Sequence, residues 1–171
     1  MTAFGSLGSN LSELQNSSFV QWFSLEKAEA NGTVTVFRPS GARFHDDVAL
    51  DASAALDGAL LILRLCLSRS FIEGPQWRAF ASDIAASFLR DALGESPLSA
   101  AFEQEMAAST QLVGPSGVPG PVPLSPEDAG VFQVYRGTEQ HAGVARGTFM
   151  LAAENGTRNG VPVTILSVAA R

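Results

Sequence analysis

Ala54 to Leu67 is the most apolar stretch of the chain, broken only by Asp57 and Arg64. A segment this apolar must be buried on most of its sides, yet it is shorter than the ~20 residues a membrane-spanning helix requires. Asp51, just ahead of it, suits a helix N-cap. Together these predict one long helix from Asp51 to about Ser70 at the centre of the fold. Its few polar residues, Ser53, Asp57, Arg64 and Ser68, then share one narrow stripe that Leu61 interrupts.

The remaining chain divides around that segment. Residues 1–9 are small and polar and are expected to fray. Asn10 followed by Glu13 fits a capping box opening a short helix. Phe19 to Leu25 alternates in a way that suits a strand, although the Glu-Lys-Ala-Glu-Ala that follows favours helix. Asn31-Gly32 then turns into Thr33–Arg38, whose β-branched and aromatic residues predict a strand. Pro39-Ser40-Gly41 reverses the chain, and Arg43 to Leu50 is expected to return as a neighbouring strand.

Gly74-Pro75 opens a second helix that Gly94 ends. Trp77, Phe80, Ala81, Ile84, Ala85, Phe88, Leu89 and Ala92 recur on its inner face, leaving Arg78, Ser82, Asp83, Ser87, Arg90 and Asp91 to water. Ser96-Pro97 starts a shorter helix with Leu98, Phe102 and Met106 inward. Residues 109–126 are rich in Gly, Pro and Ser and predict a long irregular connection, either a linker, a lid or a polyproline II segment offered to a partner. Val131–Tyr135, Val144–Ala153 and Val161–Ala169 read as three strands in a meander, with Asn155-Gly156 to Asn159-Gly160 as the last hairpin loop.

The fold class predicted is α+β. A single domain spans residues 1–171, with an antiparallel sheet of five or six strands, two or three N-terminal and three C-terminal, packed against about three helices. Hydrophobic residues make up 46% of the chain, and eleven of its aromatics are Phe, which suffices for a core without disulfides or metal.

Charge narrows the functional classes. The net charge is −6, and the single lysine, Lys27, and ten arginines form no cluster. Binding a phosphate backbone or an anionic lipid surface needs several cations on one face, so neither nucleic acid nor membrane is an expected partner. The N-terminus lacks the basic and apolar regions of a signal peptide, so a cytoplasmic protein is expected. The preference for Arg over Lys and the many alanines suggest a GC-rich bacterial genome, an inference from codon usage alone. Four of the five asparagines head Asn-x-Ser/Thr triplets; without a signal peptide they read as turn and cap residues. Cys66 is the only cysteine and, within the apolar stretch, is expected to pack as a small hydrophobe.

The densest polar group is Arg43-Phe44-His45-Asp46-Asp47, with Asp51 close behind. Histidine beside carboxylates can bind a divalent metal or act as a general base. On a strand, His45 and Asp47 would share a face, and a third ligand would have to come from His141 or Glu139 on a distant loop. The simpler account is a polar strand end leading into a helix cap. Arg38 and Arg43 flank the Pro39-Ser40-Gly41 turn and are candidates to hold a small anion. Trp22 and Trp77 with the Phe residues are candidates to line a cavity, or else plain core. There is no nucleophile elbow, P-loop, dinucleotide-binding glycine pattern or Cys-x-x-Cys, so no cofactor is expected. The function expected is a non-catalytic protein-binding or regulatory module acting on itself or a protein partner through a sheet edge or the Pro-rich passage. The alternative is a small-ligand protein or metal-assisted enzyme with a pocket near His45.

Overall fold

The segment predicted as a central helix is a β-hairpin. In the computed structural model, which describes residues 3–41, 43–110 and 123–171, Val48–Ala54 and Leu60–Ser68 are strands paired antiparallel from Val48↔Leu67 to Ala54↔Leu60. The turn between them was visible in the sequence as Asp57-Gly58. Gly58 adopts φ +89°, and the Asp57 carboxylate accepts from the Ala59 amide at 3.0 Å, as Asp and Gly do in tight turns. The helical reading failed for a physical reason. A strand at the centre of a sheet is buried on both faces, so it is apolar all round, as a buried helix is.

Seven strands form one antiparallel sheet: β1 (Leu25–Asn31), β2 (Val34–Pro39), β3 (Val48–Ala54), β4 (Leu60–Ser68), β5 (His141–Arg146), β6 (Phe149–Arg158) and β7 (Val161–Ala170), in the order β1-β2-β3-β4-β7-β6-β5. The α+β class therefore holds, but the sheet is larger than expected, with four N-terminal strands. The helices are α1 (Leu11–Gln15), α2 (Ser18–Trp22), α3 (Arg69–Glu73), α4 (Arg78–Leu93), α5 (Pro97–Thr110) and α6 (Pro126–Arg136). Among the described residues no helix is long and apolar enough to cross a membrane.

Local rules explain most of the remaining differences. Phe19–Leu25 is not a strand. The Ser17 hydroxyl caps α2 by accepting from the Val20 amide, and Phe19, Val20 and Phe23 are buried together. The helix-favouring Glu-Lys-Ala-Glu-Ala is instead edge strand β1, where pairing with β2 from Leu25↔Pro39 to Asn31↔Val34 overrides propensity. Val131–Tyr135 lies in α6, whose start signals are a Ser125 cap, Pro126 in the first turn and acidic Glu127 and Asp128, with left-handed Gly137 closing it. The predicted strand Val144–Ala153 is two strands folded at Gly147. The last hairpin turns at Asn159-Gly160 alone, φ +52° and +80°, a pair of left-handed residues that suits the twist of the flanking strands. Asn155-Gly156 lies inside β6.

The described part of the N-terminal segment is packed, not frayed. Phe4 and Leu7 are fully buried, and a turn at Gly5–Leu7 lies against the end of α4. The Asn10 cap forms as expected, accepting from the Glu13 amide at 2.9 Å, while the Glu13 carboxylate reaches back to the Ser9 amide at 2.7 Å. The Pro-rich passage is shorter than expected because Pro126 begins α6. Residues 111–122 of that passage lie outside the described residues.

One main core lies between the helices and one face of the sheet. It joins Leu50, Leu63, Leu65, Leu166 and Val168 to Ile84, Phe88, Phe102, Val131 and Tyr135, among others. Ser82 and Ser87 of α4, expected in water, are buried. Ser82 also hydrogen-bonds the Tyr135 hydroxyl at 2.9 Å.

Arg69 ties the two ends of the chain together. Its guanidinium donates to the Tyr135 carbonyl at 2.6 Å, to the Thr164 hydroxyl at 2.8 Å and to Glu73 at 2.8 Å. Thr164 passes its own proton to the Asn155 side-chain carbonyl, and the Asn155 amide donates to the Val134 and Glu139 carbonyls. The carbonyls of Tyr135 and Val134 at the end of α6 thereby accept from side chains of two other elements, α3 and β6, which Thr164 of β7 links. Arg69→Ala is expected to lower unfolding stability by roughly 2–4 kcal/mol, because it strands buried acceptors. Glu73→Ala, which removes only a partner whose side chain is 64% exposed, should cost below about 1 kcal/mol. Urea denaturation measures both, and equal losses would refute this role for Arg69.

Candidate functional site

Side chains alternate between the faces of a sheet, and all helix contacts of the core fall on one face. The other face carries a second cluster built from strand residues alone: Val36, Ala49 and Cys66 are buried, with Val34 and Ile165 packed on them. A sheet face made for water normally alternates to polar residues. This one sets Asp51 and Arg64 on its central strands but keeps an uncharged row beside them on β7. β7 has no charged residue on either face, and its outward positions are Val161, Val163, Ile165, Ser167 and Ala169.

Arg158 organises this face. In a flat sheet it would stand three strands across and several residues along from Asp51, on the order of 20 Å away. Instead its guanidinium makes a two-pronged contact with the Asp51 carboxylate at 2.8 and 3.0 Å. The β6–β7 hairpin therefore curls over β3 and β4. Beneath it lies a cup of about 240 Å³, with Ala49, Cys66 and Val163 in its lining, Arg38, Asp46 and Asp47 on one side and Arg158 and Asn159 on the other.

The chemistry available in the cup is limited. Cys66 is 4% exposed. Burial pushes its thiol up to about 11, the Asp51 carboxylate adds to the rise, and Arg158 at 3.2 Å only partly opposes it. The nucleophilic form of cysteine is the thiolate, so at neutral pH Cys66 is a packing group, as the sequence suggested. Asp47 accepts from the Ser68 hydroxyl at 2.7 Å, and Arg38 donates to the His45 carbonyl at 2.9 Å.

Of the candidate residues, Arg38 and Asp47 line the cup together, while His45, His141 and Arg43 are not among its lining. Residues 43–47 form turns, not a strand, so His45 and Asp47 do not share a strand face. The His45 ring is half exposed and sits 3.2 Å from Asp46. His141 lies on β5, in one row with Glu154, Ile165, Cys66 and Ala49. It is thus four strands from β3, on the edge of the sheet, and neither it nor His45 lines the cup. Among the described residues no three His, Cys, Asp or Glu side chains are grouped to hold a metal. Arg38 and Arg43 part company, because Arg43 stacks on Trp77, 4.5 Å from the ring centroid. Glu139 serves only through its backbone carbonyl. Asp51 caps no helix and is Arg158's partner. Trp22 is 78% exposed and Trp77 packs edge-on against Phe44, so the tryptophans do not line a shared cavity between sheet and helices. The sequence signal for Arg158 was slight, since nothing local links it to Asp51.

Comparison with known proteins finds no matching family model, no matching curated protein and no matching solved structure. The fold and site define an α+β domain whose sheet packs one face on helices and carries a mixed apolar and charged surface on the other.

The folded Cys66 thiol titrates above the unfolded one. Its contribution to stability is therefore complete below about pH 9 and lost between about 9 and 11. Between these values native stability is expected to fall more steeply than that of Cys66→Ala, by on the order of 2 kcal/mol in all. Urea midpoints across that range measure it, and parallel pH profiles would refute it.

Proposed function

We propose that this protein is a non-catalytic binding module that docks a protein partner on the uncovered face of its sheet. The observation that carries this reading is the uncharged outward row of β7 beside Val34, Val36 and Ile62, on a face to which no described helix contributes core contacts. Contiguous exposed apolar surface rimmed by polar groups marks protein interaction sites. Here Val161 and Met150 are exposed and Val34, Ile62, Ile165 and Ala169 half-buried, with Glu29, Arg38 and Glu154 around them and Arg64 among them, which suits orientation of a partner by charge. The protonated Cys66 and the dispersed histidines supply no nucleophile or base at that centre.

A second reading, a small-ligand site in the cup, draws on its concave shape and on Arg38 and Arg158. It is the weaker one, because Arg158 is already matched to Asp51 and Arg38 to a carbonyl.

A photo-crosslinking residue placed at Met150, which is 41% exposed on the open face, is expected to capture a defined protein from the native cell extract. The same residue at Glu127 on α6 should not. Ile165→Lys should reduce capture at position 150 at least tenfold while leaving the thermal midpoint of the free protein within a few degrees. Capture that is equal at both positions, or indifferent to Ile165→Lys, would refute docking on this face.

A further inference from the structure

The two edges of the sheet are built differently. β1 carries Glu26, Lys27 and Glu29 along its length, and its pairing is broken by a register shift between Lys27 and Glu29. Lys27 falls opposite Phe37, on the helix side of the sheet. Charges, inward-pointing lysines and bulges are the devices that keep an edge strand from pairing with another chain.

β5 has none of these devices. Between its end residues it reads Ala142-Gly143-Val144-Ala145, without charge or proline. Its register with β6 is unbroken from His141↔Glu154 to Arg146↔Phe149. The one cation on it, Arg146, is turned to the helix side and paired with the buried Asp128 of α6. α6 lies directly on this strand, with Gly130 so close that an added Cβ would meet the Ala142 Cβ at 3.3 Å. The edge is thus unbroken in register, supported from behind and, among the described residues, unpaired on its outer side.

We propose that β5 is a dimerisation edge, pairing antiparallel with β5 of a second copy to join two sheets into one of twice the width. Side-chain alternation restricts the registers. Only those that match like faces keep both helix layers on the same side. A two-fold axis at Gly143 meets this condition. It sets Gly143 against its own counterpart, Ala142 against Val144, and Ala145 against His141. No like charges and no two bulky groups meet, so the strand is complementary to itself, as a two-fold interface requires. The two docking faces would lie side by side, although the pairing does not depend on what binds them.

The test uses the full chain. Light scattering is expected to give twice the monomer mass, rising with concentration as a short edge-to-edge interface implies. Gly143 tolerates a side chain, since a Cβ there meets only the Leu151 carbonyl at 3.5 Å. Gly143→Cys should therefore fold and, on mild oxidation, form a covalent dimer, because opposed positions place their Cβ atoms about 4.5–5.5 Å apart, within a small shift of disulfide geometry. The buried Cys66 does not compete. Gly143→Glu should abolish the dimer by facing two carboxylates across the axis. A monomeric native chain would overturn the proposal. So would crosslinking at position 143 no greater than that of Lys27→Cys on the other edge. A dimer that survives Gly143→Glu but is lost with Ile165→Lys would also overturn it, by placing self-association on the open face.

Discussion

The pairing of β4 with β7 is the constraint on which the rest of the molecule depends. Seven residue pairs, from Ile62↔Ala169 to Ser68↔Val163, bring together parts of the chain roughly a hundred residues apart. Without that ladder the protein would be two separate antiparallel ribbons, β1–β4 and β5–β7, each with an unpaired apolar edge. Closing so long a loop is entropically costly, and the return comes when the helix-side residues of β4 and β7, Leu63, Leu65, Leu67, Leu166 and Val168, join one core. Arg69, just beyond the end of β4, reinforces the same junction by bonding the end of α6 and Thr164 of β7.

The helices follow from this arrangement. The connection from β4 to β5 contains α3 to α6, and all of their core contacts fall on one side of the sheet. The other side is left to strand residues, and its curvature decides its chemistry. Because the β6–β7 hairpin curls over β3 and β4, Asp51 and Arg158 meet above Cys66. The cost of partly burying two charges is offset by their two-pronged contact. The result is a thiol held protonated at neutral pH, a matched ion pair and an uncharged row of β7 beside them.

Some of this was legible in the residues. Strand β2, strand β7, helix α4 and the Asn10 cap declared themselves through period, β-branching and capping chemistry, all short-range signals. The start of α6 was equally local, in Ser125-Pro126-Glu127-Asp128, and was obscured by the β-like Val131-Phe132-Gln133-Val134-Tyr135 after it. The strand expected from Phe19 to Leu25 begins instead at Leu25, because Ser17 caps a helix over Ser18–Trp22, and pairing with β2 makes a strand of the helix-favouring residues that follow. The candidate site was largely illegible. Asp51, Cys66 and Arg158 are contributed by three strands, and no spacing rule joins residues so far apart in sequence. The cluster at His45, dense in the sequence, is dispersed in space because its segment turns instead of extending.

By itself the sequence determined the α+β class, an ample apolar core, scattered charge and a cysteine destined for burial, since composition and short-range periodicity set these. Tertiary structure decided that the most apolar segment is a strand hairpin and not a helix. An apolar segment buried all round has the same pattern in either form, and the choice falls to whichever partners can satisfy its backbone. Here the partners are β3 beside it and β7 from the far end of the chain, and it is that long-range pairing that leaves one face of the sheet open.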